Sequence, residues 1–391
     1  MEPGKKSAIR FLILALGLLA PFAASWLFLV RAGEYLDADK VVVRQQERGS
    51  IVGNSIPGLS AYVYKLGLVR ARKPEVLALG SSRVLQFREE AFLGTFVNAG
   101  KAGDNLVEMD RFLKAIPAQD MPGLVILGLD PWMFLVTAQR GEPDLGDRGL
   151  LRFQEFTALY RHLFEGKITL RDATEVLFLG RNTCPLLDTD MIGLQAIVDC
   201  SGYRPDGSRL LGEILLGGKP ELDELVRQSG DHAKRGLDPL KQSLALDPSR
   251  FDLLQDILAC LGERGVRVVL FSAPYAPATW GVMREMPDEF AYVDEVFRVL
   301  AERGVQVHVF TDPASLDAPQ CEFEDEVHGG DVVYLRILAR FLESEPDLAG
   351  FIDAETVRKG IAANQGRAIA VFGPGSVPPE GLRLTLPGCP D

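Results

Sequence analysis

Twenty consecutive residues without a charge, Phe11 to Val30, constrain this chain more than any other feature it carries. As a helix rising about 1.5 Å per residue, such a run spans roughly 30 Å, the hydrocarbon thickness of a bilayer. Lys5, Lys6 and Arg10 precede it, and basic flanks stay on the cytoplasmic side. The reading that follows is an N-terminal transmembrane helix, an anchor over residues 1–31. It crosses the inner (cytoplasmic) membrane once and leaves everything beyond it in the periplasm or outside. Ala23, Ala24 and Ser25 offer the small residues of a signal-peptide cleavage site, so removal of the segment is the competing reading. Continuation of the apolar run through Trp26 to Val30 favours an uncleaved helix.

The rest of the chain is globular in composition. With 47% hydrophobic residues it has enough apolar material for a sizeable core. A formal charge of −12 argues against nucleic acid, which would demand a basic face. Five cysteines suit an exported protein; none forms a C-x-x-C pair and their spacing suits no metal cluster. Cys184 and Cys200 bracket a short segment and are candidates for a bridge. The odd count leaves at least one thiol free or paired between chains.

Residues 32–73 read as a stalk, helical or irregular, interrupted at Gly53 and Pro57. The texture then changes. Val76–Leu79, Thr95–Asn98 and Leu124–Leu127 are short apolar runs, the first and third closed by Gly80 and Gly128, with a helix of correct apolar spacing over Asn105–Ile116 between them. After a break, Val266–Phe271 and Val305–Phe310 supply two more strands, Tyr292–Leu300 a helix and Val332–Leu342 a closing helix. Alternating strands and helices at this spacing imply an α/β fold. The expected architecture is a three-layer sandwich around a parallel, five-stranded, flavodoxin-like sheet over residues 74–345. About 135–250 reads as a helical insertion. The tail, 346–391, reads from Glu355 onward as loop and short extended pieces, with Gly373, Pro374, Pro378 and Pro379.

Ligands bind an open parallel sheet at the carboxyl ends of its strands. Gly80-Ser-Ser-Arg, Asn98-Ala-Gly-Lys-Ala-Gly and Gly128-Leu-Asp-Pro-Trp all fall there. A serine just past a strand, where backbone N–H groups are unpaired, is well placed as a nucleophile whose adduct carries an oxyanion. Taken alone it is as readily a helix cap. A serine nucleophile needs a histidine base and a carboxylate to orient it. Of the four histidines, only His328 follows an acid by three residues, in Asp325-Glu-Val-His.

Together these blocks resemble the SGNH (GDSL-like) hydrolase superfamily over roughly Lys73–Leu342, excluding the insertion. The resemblance implies Ser82 as nucleophile, with Ser81 standing where the superfamily has aspartate. It implies Asp325 and His328 as the rest of a triad, and Gly103 as an oxyanion-hole N–H. The third block departs from the pattern. The superfamily has an asparagine donor there, whereas this chain has Asp130, and an ionised carboxylate cannot donate. Asp130 is therefore expected to be protonated, or turned to backbone N–H groups, or partnered by a cation such as Arg83. Arg83 itself suits either an anionic substrate group or a neighbouring acid. Trp132 is a candidate for lining the acyl or sugar site, or for the core.

The serine pair and the Pro-containing third block look like a particular branch, the membrane-anchored proteins of teichoic-acid D-alanylation and of alginate and exopolysaccharide O-acetylation. That resemblance implies a serine esterase or O-acyltransferase needing no metal or cofactor. It implies a cell-envelope polysaccharide or acyl ester donor as substrate and a membrane-bound O-acyltransferase as partner. The alternative is a catalytically degenerate accessory subunit with the same fold.

Overall fold

The computed structural model describes residues 3–54, 59–136, 153–184, 187, 189–237, 240–242, 245–372 and 383–389, with the side chains of residues 3–10, 12, 13, 15, 16 and 153–155 excluded. Pro57, Gly373, Pro374, Pro378 and Pro379 lie outside the described residues. The chain divides into two compact units, Met1–Leu59 with Gly146–Tyr203 and Ser60–Leu145 with Arg204–Asp391. The expected stalk and the expected insertion are thus each shared between the two units.

The larger unit is the α/β fold. Its sheet comprises β1 (Val76–Gly80), β2 (Phe96–Gly100), β3 (Leu124–Gly128), β4 (Arg267–Ser272) and β5 (His308–Val309). Every pairing is parallel and the spatial order is 2-1-3-4-5, the order of flavodoxin-like doubly wound sheets. β1, β2 and β3 are buried at every position. That is why their sequences are continuous apolar runs and do not alternate. β5 keeps only two of the six residues expected of it.

Helices cover both faces. Ala61–Arg72, Leu106–Ala115 and Pro248–Glu263 pack on one side, against β2 and β4 and one another. On the other, Val76, Ala78, Ile126 and Phe271 meet Val333 and Ile337 of the helix Asp331–Ser344 in one apolar core. The tail is more ordered than its sequence suggests. Asp353 caps a helix, Ala354–Asn364, by accepting from Glu355 and Thr356 N–H, and Val357 joins the core. A weakly amphipathic eleven-residue helix leaves little periodic signal, so only the capping aspartate before it could have revealed it.

The smaller unit contains the helix Pro3–Ala32, the helix Ala38–Arg48 and a short sheet in which Ile51–Val52 pairs with Met191–Ile192 and Tyr203. The Cys184–Cys200 disulfide lies here. The expected span Phe11–Val30 falls in the first helix, some of whose side chains are outside the description. Among the described residues no helix is long and apolar enough to cross a membrane, so these residues do not support the transmembrane helix read from the sequence.

Candidate active site

The site forms at the carboxyl edge of the larger unit's sheet, where β1 runs into the single turn Ser82–Val84. That turn lies hard against the sheet because β1 and β3 both end in glycine. A Cβ on Gly80 or on Gly128 would stand 2.7 or 2.4 Å from Val84 Cγ1. Asn98, buried at the middle of β2, braces the turn from the other side. Its amide donates to the Val84 and Phe87 carbonyls at 2.7 and 2.9 Å and its oxygen accepts from Gly100 N–H. Sequence reasoning assigned Asn98 no role.

Ser82 Oγ lies 2.8 Å from His328 Nε2. His328 Nδ1 in turn lies 2.8 and 2.9 Å from the two Asp325 carboxylate oxygens. With Nδ1–H directed at Asp325, Nε2 is left as the acceptor of the serine proton. Asp325 Oδ1 also accepts from the N–H groups of Val327 and His328, so acid and base are locked in one turn. An antiparallel bridge between Phe323 and Gly329 closes that loop.

Electrostatics sharpen the relay. Burial works to lower the His328 pKa, but the Asp325 carboxylate outweighs it and leaves the pKa raised. Burial works to raise that of Asp325. The imidazole and the two backbone N–H groups overcome it and hold the carboxyl far below its usual range. The effects are reciprocal, as expected of an ion pair when the histidine is charged.

Asp130 and Arg83, the two residues whose roles the sequence left open, face each other. Arg83 Nη1 donates to Asp130 Oδ1 at 2.8 Å and Ser81 Oγ donates to Oδ2 at 2.6 Å. Neither carboxylate oxygen is bare, and both side chains of the pair are buried. Burial pushes the Asp130 carboxyl above the usual range, and Arg83 and Ser81 work against that push. Burial likewise opposes the Arg83 charge, but Asp130 beside it leaves the guanidinium pKa raised.

Arg83 does more than neutralise an acid. Its Nε donates to the Val327 carbonyl at 3.0 Å, and its Nη2 to the Ala273 and Pro274 carbonyls at 2.6 and 2.8 Å. The guanidinium is sandwiched against the rings of Tyr275 and Trp132, whose centroids lie 4.7 and 5.2 Å from its carbon. One buried cation thereby joins the loops after β1, β3 and β4 to the residue preceding His328. Arg83 is therefore a brace inside the site, and Trp132 packs on it.

Gly103 lies in the turn between β2 and the helix Leu106–Ala115, where a Cβ would come within 2.6 Å of Met109 Cγ. Among the described residues, neither its N–H nor that of Ser82 donates to a protein acceptor.

Acids beside the relay have partners of their own. Glu324 lies 3.3 Å from Lys219 and 3.6 Å from Arg209, and Glu326 lies 3.0 Å from His232. Glu324, Asp325 and His328 group their ligand atoms within 4.8 Å. Asp325 and His328 spend those atoms on each other, and the cations at Glu324 would repel a metal ion. A second disulfide, Cys321–Cys389, ties the C-terminal segment to the chain four residues before Asp325. Cys260 is left as the free thiol.

Comparison of the chain with protein-family models, with curated proteins and with solved structures found no match.

Proposed function

We propose that this protein is a serine esterase or O-acyltransferase working through an acyl-Ser82 intermediate, in the manner of the SGNH superfamily its motifs resemble. The observation that carries the reading is the continuous relay from Ser82 Oγ through His328 to Asp325. His328 Nε2 takes the Ser82 proton as Oγ adds to the ester carbonyl carbon. The carbonyl oxygen, now an anion, is met by the N–H groups of Ser82 and Gly103. Collapse breaks the bond to the leaving alcohol, and His328 returns the proton to it. Water or an acceptor hydroxyl then attacks the acyl-serine by the same steps in reverse, regenerating Ser82. Asp325 holds the imidazole in orientation and stabilises its charged form.

The substrate class proposed is an acyl ester on a cell-envelope glycan or exopolysaccharide, or a small ester donor to one. A membrane-bound O-acyltransferase is the proposed partner. The uncharged run Phe11–Val30 and its basic flank support a single-pass anchor with the remainder of the chain outside the cytoplasm. The alternative, a degenerate subunit, drew its support from Asp130. That carboxylate is engaged by Arg83 and Ser81, which lessens its repulsion of an oxyanion beside Ser82 and supports the enzyme reading.

A serine-directed organophosphonate probe tests the reading. Covalent labelling of the intact protein, absent from Ser82→Ala, is the expected result. A wild-type protein inert to the probe and to generic acyl esters overturns it. Digestion of the larger unit by protease added outside intact spheroplasts tests the topology, and protection until lysis would reverse it.

A further inference from the structure

The smaller unit carries a concentration of exposed apolar side chains that neither the core nor the proposed chemistry uses. Phe164 ends the helix Phe153–Phe164 and is 96% exposed. Leu170, in the next helix, is 74% exposed, and Phe178 and Leu179, in the turn of helix Glu175–Leu179 that follows, are 78% and 69% exposed. A lone exposed leucine needs no explanation, but four large side chains within sixteen residues do. In the larger unit the few exposed large apolar residues, such as Leu93 and Val309, stand far apart in the sequence.

What covers these residues is indicated by their neighbour. The segments Phe153–Phe164 and Glu175–Leu179 both pack against the helix Pro3–Ala32. That helix presents Phe11, Leu14, Leu18 and Leu19 to solvent, within the run of twenty residues that has no charge. The exposed apolar side chains therefore sit on neighbouring elements: Phe153–Phe164 and Glu175–Leu179 touch the first helix, and Leu170–Thr174 touches Glu175–Leu179. The polar margin of this surface carries charged side chains of both signs, the mixed polar edge that an apolar face turned to an interface needs. Residues 161–181 hold four basic side chains, Arg161, Lys167, Arg171 and Arg181, against three acidic ones, in a chain whose net charge is −12. Arg161, Lys167 and Arg171 are substantially exposed, each beside an acid, Glu165, Asp199 and Glu175 respectively, and long side chains of this kind extend from an apolar face to its polar margin.

We infer that residues 161–181 form a second, interfacial membrane contact, dipping Phe164, Leu170, Phe178 and Leu179 into the acyl boundary of a bilayer. Such a contact holds a protein in the interface plane without crossing it. It rests on the first helix lying in the membrane, but not on the acyl-transfer reading. Its consequence is orientational, because a tether and a second contact together fix which way the smaller unit faces the lipid.

The test places an environment-sensitive fluorophore on Phe164→Cys or Phe178→Cys of the full chain, with Cys260→Ser to remove the free thiol. Lys359→Cys, on an exposed helix of the larger unit, is the reference. Reconstituted in vesicles of phosphatidylcholine with phosphatidylglycerol, labels at 164 and 178 are expected to shift to the blue. Nitroxide lipids should quench them at least several-fold more than the label at 359. An unchanged thermal midpoint confirms that each variant is folded. Labels at 164 and 178 as wet as that at 359 overturn the inference. Shielding in native membranes but not in lipid vesicles overturns it too, and assigns the face to a protein.

Discussion

Arg83 donates to Asp130 at 2.8 Å with both side chains shut away from water. Breaking one half of a buried pair strands the other charge, at a cost of about 3–5 kcal/mol. Asp130→Ala is expected to lower the urea unfolding midpoint accordingly. Asp130→Asn keeps a partner for Ser81 yet removes the counter-ion, so it should fall between wild type and Asp130→Ala. Arg83→Lys retains charge but not the fork reaching Val327, Ala273 and Pro274. Its acylation rate by a probe should therefore drop more than its stability. Equal stability of all three variants with wild type would mean that the pair is not formed.

Asp325 sets the working pH of the site. His328 is a base only when neutral, and its raised pKa moves the acid limb of the acylation profile above the ordinary histidine value of about 6.5. Asp325→Asn should shift that limb downward and slow acylation by about 10³–10⁴-fold. The linkage to stability has opposite signs at the two residues. The His328 contribution is complete below the ordinary histidine value and is lost as pH rises through the raised one. The Asp325 contribution is complete above the ordinary carboxylate value and is lost as pH falls through the depressed one. Rates measured from pH 5 to 9 on both proteins decide the matter; coincident limbs refute it.

Asn98 supports the nucleophile without touching it. Asn98→Ala leaves the Val84 and Phe87 carbonyls and the Gly100 N–H without this partner. Each orphaned buried group costs about 1–3 kcal/mol. The turn carrying Ser82 should loosen, so kcat is expected to fall with KM for a small ester little changed. A rise in KM alone would instead place Asn98 against the substrate.

Cys321–Cys389 closes a loop spanning a sequence separation of 68. Chain-entropy arguments give about 4 kcal/mol for a loop of that length. Cys389→Ser should lower the midpoint of thermal unfolding. Because Cys321 stands four residues before Asp325, it should also slow acylation at temperatures well below that midpoint. Normal acylation below the midpoint would confine the bridge to a stabilising role.

Sequence by itself determined the strands and their chemistry at close range. Continuous apolar runs closed by Gly80 and Gly128 declare buried parallel strands, since only a strand covered on both faces dispenses with alternation. Asp325 and His328 could be paired from spacing alone, because one turn brings residues three apart within reach. Cys184 and Cys200, sixteen residues apart, were legible as a bridge for a similar reason. Long-range partners were not. Ser82 and His328 are 246 residues apart, and nothing local aims one at the other. Strand order 2-1-3-4-5 does so, because in an all-parallel sheet the carboxyl ends of β1, which leads into Ser82, and of β5, which leads into His328, lie at one edge. The roles of Asp130 and Arg83 were equally undecided, because a charge alone fits several environments. Burial selected one of them, since a carboxylate and a guanidinium removed from water must find each other or lose far more than the pairing returns.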